Sequence, residues 1–107
     1  MKIFNLENMI GGWFIGDFSP SVIKENGFEV GIKKYKSGTY EDKHLHKVSY
    51  EITVIVSGKV KMNNKEFSEG EIIFLDPGEA ADFLALEDTV TCVVKSPSSI
   101  KDKYFCN

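Results

Sequence analysis

The stretch from Gly38 to Gly58, GTYEDKHLHKVSYEITVIVSG, decides how this chain is read. Its second half alternates: Glu51, Thr53 and Ile55 fall on one face of an extended segment, Ile52, Val54 and Val56 on the other. That is the period of a β-strand, not of a helix. Just upstream, His44 and His46 are the only two histidines of the chain and lie two residues apart. In a strand both rings point to one side, with Leu45 on the other. Two imidazoles and a nearby carboxylate, Glu51, supply the nitrogen and oxygen donors suited to zinc, iron, manganese or nickel.

Working outward, strand signals dominate. Short β-rich runs recur at Phe28 to Tyr35, Lys59 to Met62, Glu71 to Leu75, Ala81 to Leu86 and Thr89 to Val94. Turn formers separate them: Ser37-Gly38, Ser57-Gly58, Asn63-Asn64, Asp76-Pro77-Gly78 and Glu87-Asp88. Close spacing of short strands predicts an all-β antiparallel sandwich or barrel. A brief helix is expected at most over Ser98 to Tyr104, capped by Pro97-Ser98-Ser99. The 107 residues suffice for one domain with one core. Within it, residues 1–25 read as a covering and dimer-forming segment, 26–95 as the barrel, and 96–107 as a tail.

The apolar face of Ile52, Val54 and Val56 needs a cover, because a solvated outer face would be polar. The segment Met9 to Phe18 is expected to supply part of it and a second subunit the rest, giving a homodimer. Trp13, Phe74 and Phe83 read as core. Lys43 and Lys47 point outward by alternation, and Tyr50 lies on the face opposite Glu51.

Composition excludes several classes of partner. With 13 basic and 16 acidic residues the net charge is −3, and no basic run exceeds Lys33-Lys34. Nucleic acid and anionic membranes are therefore not expected partners. No apolar stretch approaches membrane-spanning length. Cys92 and Cys106 lack CxxC spacing; Cys92 reads as a buried thiol and Cys106 as an exposed one. A cytoplasmic location is the expectation.

The spacing Gly38-x5-His44-x-His46-x4-Glu51-x6-Gly58 resembles the first signature motif of the cupin superfamily at every fixed position. The segment Gly70 to Gly78 is similar to the second motif, with Asp76 at the motif's proline and Ala81 at its third histidine. The resemblance implies a double-stranded β-helix, or jelly-roll barrel, as a small single-domain cupin. It implies that His44, His46 and Glu51 face the interior as ligands of a divalent metal ion. Ala81 removes a fourth protein ligand, leaving three, the number found in many catalytic zinc sites. Asp82 is a poor substitute, since alternation turns it outward when Ala81 faces inward. Asp76 is expected to cap the turn before Pro77. Tyr40 shares the parity of the histidines, so an unbroken strand would bring its phenol to the pocket as a proton donor beside His44 and His46.

Three kinds of function fit these residues. One is metal-dependent chemistry on a small organic molecule, with the ion as Lewis acid or oxygen-binding centre. Another is a metal-free sugar or sugar-nucleotide isomerase or epimerase with histidine as base; His44-Leu45-His46-Lys47 is similar to an H-x-H-K run in sugar-nucleotide ketoisomerases. The third is a non-catalytic small-molecule-binding barrel.

Overall fold

The structure, a computed structural model, describes residues 1–99 and 101–106. Two sheets face each other. The larger runs in the order β2 (Ile23–Lys24), β1 (Trp13–Gly16), β3 (Glu29–Tyr35), β10 (Thr89–Ser96), β5 (Tyr50–Ser57) and β8 (Ile72–Leu75). The smaller runs β11 (Tyr104–Phe105), β4 (Tyr40–Leu45), β9 (Ala81–Ala85), β6 (Lys59–Met62) and β7 (Lys65–Ser68). The strand pairs are antiparallel except for β1 with β2. This is the double-stranded β-helix expected from the sequence.

The turns explain themselves chemically. β6 and β7 pair from Met62 with Lys65, leaving a two-residue loop of Asn63 and Asn64. Both have positive φ, 50° and 65°, as a hairpin turn matched to strand twist requires. Gly58 joins β5 to β6 with φ +97°, and a Cβ there would sit on Thr89 Oγ1 and 2.5 Å from the Asp88 carbonyl oxygen. Glycine is thus required twice over, by conformation and by space.

The larger sheet turns many of its polar groups inward. Its inner face carries Glu29, Lys33 and Tyr35 on β3 and Lys95, Thr91, Glu51 and Thr53 on β10 and β5, alongside the buried Val93 and Ile55. Its outer face carries Val30 and Ile32, Cys92 and Val94, Ile52 and Val54, and Ile72 and Phe74, aligned across the ladder by the pairs Cys92 with Ile32, Cys92 with Val54, and Ile52 with Phe74. Apolar packing inside is confined to one half of the barrel, where Ile55, Val60, Met62, Ala81, Phe83 and Ala85 form the buried cluster. The other half is left for polar groups.

Several sequence expectations are corrected here. The segment Met9 to Phe18 does not lie over the outer face; β1 hydrogen-bonds to β3 and extends the sheet edgewise. Trp13 faces the cavity, and Phe74 is 52% exposed on the outer face instead of in the core. Cys92 is a free, half-buried thiol on that face. Among the described residues of 98–104 there is no helix: Lys101 lies in a turn, and Tyr104 begins β11, paired with β4. The cause is Asp102, whose carboxylate is drawn to the backbone N–H groups of Lys47, Val48 and Ser49.

Candidate metal centre

His44 lies near the end of β4, His46 one residue beyond it, and Glu51 near the start of β5. One ligand atom from each lies within 4.8 Å of the others. His46 Nε2 and Glu51 Oε2 are 3.7 Å apart, too far for a hydrogen bond. Two donors on a tetrahedral ion at about 2.1 Å stand roughly 3.4 Å apart, so the pair is spaced as if around an ion. The two imidazoles meet edge-on, with centroids 5.5 Å apart.

Backbone contacts set the tautomers. His44 Nδ1 lies 3.1 Å from the Asp42 carbonyl oxygen, and His46 Nδ1 contacts the Asp102 carbonyl oxygen. A carbonyl only accepts, so in each neutral ring Nδ1 carries the proton and Nε2 the lone pair. Tying off the second ring nitrogen in this way orients a histidine ligand and raises its basicity. His46 is anchored again by its own carbonyl, which accepts from Gly78 N–H at 2.7 Å.

Asp102 builds the loop that follows. It is 4% exposed, and its carboxylate accepts from the N–H groups of Lys47 (2.8 Å), Val48 (3.0 Å) and Ser49 (2.8 Å). Burial acts to raise its pKa; the donations from Ser49, Val48 and Lys47 outweigh this and hold the carboxyl below the usual carboxylate range. One residue thus orients His46 through its carbonyl and shapes residues 47–49 through its side chain. No local sequence motif marks it.

Tyr40 is not brought to the cluster. Between Glu41 with Phe83 and His44 with Ala81 the register of β4 against β9 shifts by one residue. This β-bulge reverses the parity counted back from His44. Tyr40 is 55% exposed, and Glu41 faces inward. There it accepts a hydrogen bond from Tyr35 Oη at 3.3 Å. Burial, reinforced by the Glu41 charge, raises the Tyr35 pKa strongly, so this phenol stays protonated at neutral pH. Tyr35 and Glu41 are thus the hydrogen-bonded pair that lines the same cavity as the histidines. The alternation in β3 placed Tyr35 with Glu29 and Lys33, the available signal for it.

The remaining residues singled out in the sequence fall as follows. Ala81 is the direct cross-strand partner of His44, 5% exposed, and lines the same space as the two histidines. Asp82 is held elsewhere, accepting from Asn63 N–H at 2.7 Å. Asp76 is exposed and caps nothing; Glu79 closes that turn, its carboxylate accepting from Asp76 N–H at 2.9 Å. Lys43 and Lys47 are exposed, as expected. The cluster opens into a cavity of about 410 Å³ whose lining also includes Trp13, Lys33, Lys95 and Lys103.

The two facing sheets, the half-polar interior and the inward cluster together describe a double-stranded β-helix with a polar site inside it. Solved structures bear this out at the level of fold. The chain superposes on an uncharacterized protein with a double-stranded β-helix domain from Klebsiella pneumoniae at a TM-score of 0.73 and 17% identity, covering 98% of this chain and 91% of that one. Ectoine synthase from P. lautus matches at 0.69 and 15% identity, covering 100% and 91%. KdgF from Halomonas sp. matches at 0.64 and 20% identity, covering 71% and 74%. No protein-family model and no curated protein matches the sequence.

Proposed function

We propose that the chain binds one divalent ion through His44 Nε2, His46 Nε2 and Glu51, and uses it on a small organic molecule held in the adjoining cavity. The observation that carries this is the pair of Nδ1 contacts, which commits both Nε2 lone pairs. A bound ion would supply Lewis acidity and an open position for substrate or water. Tyr35, protonated and bonded to Glu41, is placed to donate a hydrogen bond or a proton, with the Glu41 carboxylate as acceptor, and Trp13 closes part of the cavity. Elemental analysis of protein purified without chelator, followed by zinc or manganese titration, tests the reading. About one equivalent of ion, lost on replacing His44 with Ala, is the expected result; no stoichiometric ion under any loading condition counts against it.

A metal-free proton-transfer role is favoured by one observation: Ala81 leaves the ion one imidazole short, while Tyr35, Glu41 and the histidines still form an acid–base set. The same titration separates the two readings. The free thiols of Cys92 and Cys106 suit a reducing compartment such as the cytoplasm. No helix of the described residues is long and apolar enough to cross a membrane.

We infer further that the outer face of the larger sheet docks on a second copy of the chain. Ile72 is 65% exposed and Val56 47%, and Tyr50 stacks on Phe74 with centroids 5.5 Å apart. A patch of this kind on a monomer marks an interface. Lys34, at one end of β3, is the charge on this face; the residues from Ile32 across to Phe74 are apolar, so two copies can meet there across a two-fold axis. Light scattering should return twice the 12.0 kDa chain mass, and Val54→Lys should return the single mass. A single mass for the unaltered protein at micromolar concentration would end this proposal.

A further inference from the structure

The cavity beside the histidines is lined by three lysines, and they are not equivalent. Lys95 is buried and matched: its Nζ lies 3.6 Å from Glu29 Oε1 and donates to the Ser99 carbonyl at 3.3 Å. Glu29 Oε1 accepts in turn from Ser98 Oγ and Ser99 N–H, both at 3.2 Å. Lys33 and Lys103 have no such match. Among the described residues neither makes an ion pair or a side-chain hydrogen bond. Each rests against an aromatic ring, Lys33 Nζ 5.3 Å from the Trp13 centroid and Lys103 Nζ 5.3 Å from the Phe105 centroid. Both line the same cavity.

The acids nearby do not satisfy them. Glu29 is taken by Lys95, Glu41 by the Tyr35 hydroxyl, and Glu51 converges on His46. Lys33 is half-buried, and its pKa is lowered first by burial and further by the Lys103 charge, against the pull of Glu41 and Glu51. Lys33 and Lys103 thus line one cavity, each on an aromatic ring and without a bonded carboxylate, which leaves both free to meet an anion there.

We propose that the small molecule bound here is an anion, its carboxylate or phosphate oxygens held between Lys33 and Lys103 while its neutral oxygens reach toward the histidine end of the cavity. This rests on the cavity being a small-molecule site, but not on metal occupancy. A flexible ammonium donates to either kind of anion as a point charge, so the shared feature is anionic oxygen, not one group. The cavity of about 410 Å³ falls in the range of small-molecule sites.

Trp13, the only tryptophan of the chain, reports on the site directly. Its fluorescence would be followed during titration with gluconate, glucose 6-phosphate and glucose, each with and without zinc. At least one of the two anions should bind about tenfold or more tightly than glucose, and the better of the two identifies the anionic group. Lys33→Gln and Lys103→Gln should each weaken that anion by about tenfold while leaving zinc affinity within about threefold. Lys34→Gln, on the outward side of the same strand, should change neither. Lys103 is exposed, so its replacement keeps the test valid if the Lys33 variant folds poorly. Glucose binding as tightly as the anions, no response to either anion up to about 10 mM, or unchanged anion affinity in Lys103→Gln would overturn the proposal. Zinc failing to bind while the anion still depends on both lysines would overturn only the metal reading.

Discussion

Replacing Ala81 with His is expected to raise divalent-metal affinity by about tenfold or more, and replacing His46 with Ala to lower it on the order of a hundredfold. The two changes act on one cluster from opposite directions. Ala81 is the cross-strand partner of His44 and is buried on the cavity side, so an imidazole there points at the ion position without altering the sheet register. It restores a fourth protein donor to a three-donor site. His46→Ala removes the ring whose Nδ1 is held by the Asp102 carbonyl and whose Nε2 faces Glu51. General damage to the fold lowers affinity but does not raise it, which makes the pair more informative than either variant alone. Isothermal titration with zinc, or the visible spectrum of bound cobalt, reads both. If Ala81→His binds no tighter and His46→Ala no weaker, the cluster is not a metal site.

Asp102→Ala is expected to lower stability by about 3 kcal/mol, a fall in Tm on the order of 15 °C. The change leaves the N–H groups of Lys47, Val48 and Ser49 without their acceptor, and Ser49 is fully buried. The effect carries a pH signature with a definite sign. The carboxyl has a lower pKa in the folded chain than its ordinary value of 3.8. Its contribution is therefore complete above about pH 4 to 5 and fades as pH falls through the folded value. Denaturant unfolding of both proteins from pH 7 down to pH 3 should show the gap between them narrowing in acid. A gap that stays constant would assign the loss to packing and not to the charged acceptor.

What was legible in the sequence follows from the range over which each interaction acts. His44, His46 and Glu51 were legible because motif spacing and strand alternation are local. Gly58 was legible for the same reason, as its positive φ is a property of one turn. The position of Tyr40 was not, because one extra residue in β4 between Glu41 and His44 reverses every parity counted across it. A bulge is fixed by the partner strand, here β9, and leaves no mark in β4 itself. Asp102 was invisible for a different reason: its partners lie 53 to 55 residues away, and a lone aspartate between two lysines reads as solvated charge. The apolar outer face was read correctly on β5, but its cover was misassigned. Trp13 and its neighbours were judged by hydrophobicity, whereas their backbone pairing with β3 decides where they go.

The grip of Asp102 on residues 46–49 also orders events in time. The histidines and Glu51 precede by about fifty residues the aspartate that orients His46. Until Asp102 docks, the Lys47–Ser49 amides lack their internal acceptor, and the His46 ring lacks the contact that fixes its tautomer. A chain folded short of that residue therefore holds this corner of the cluster only loosely.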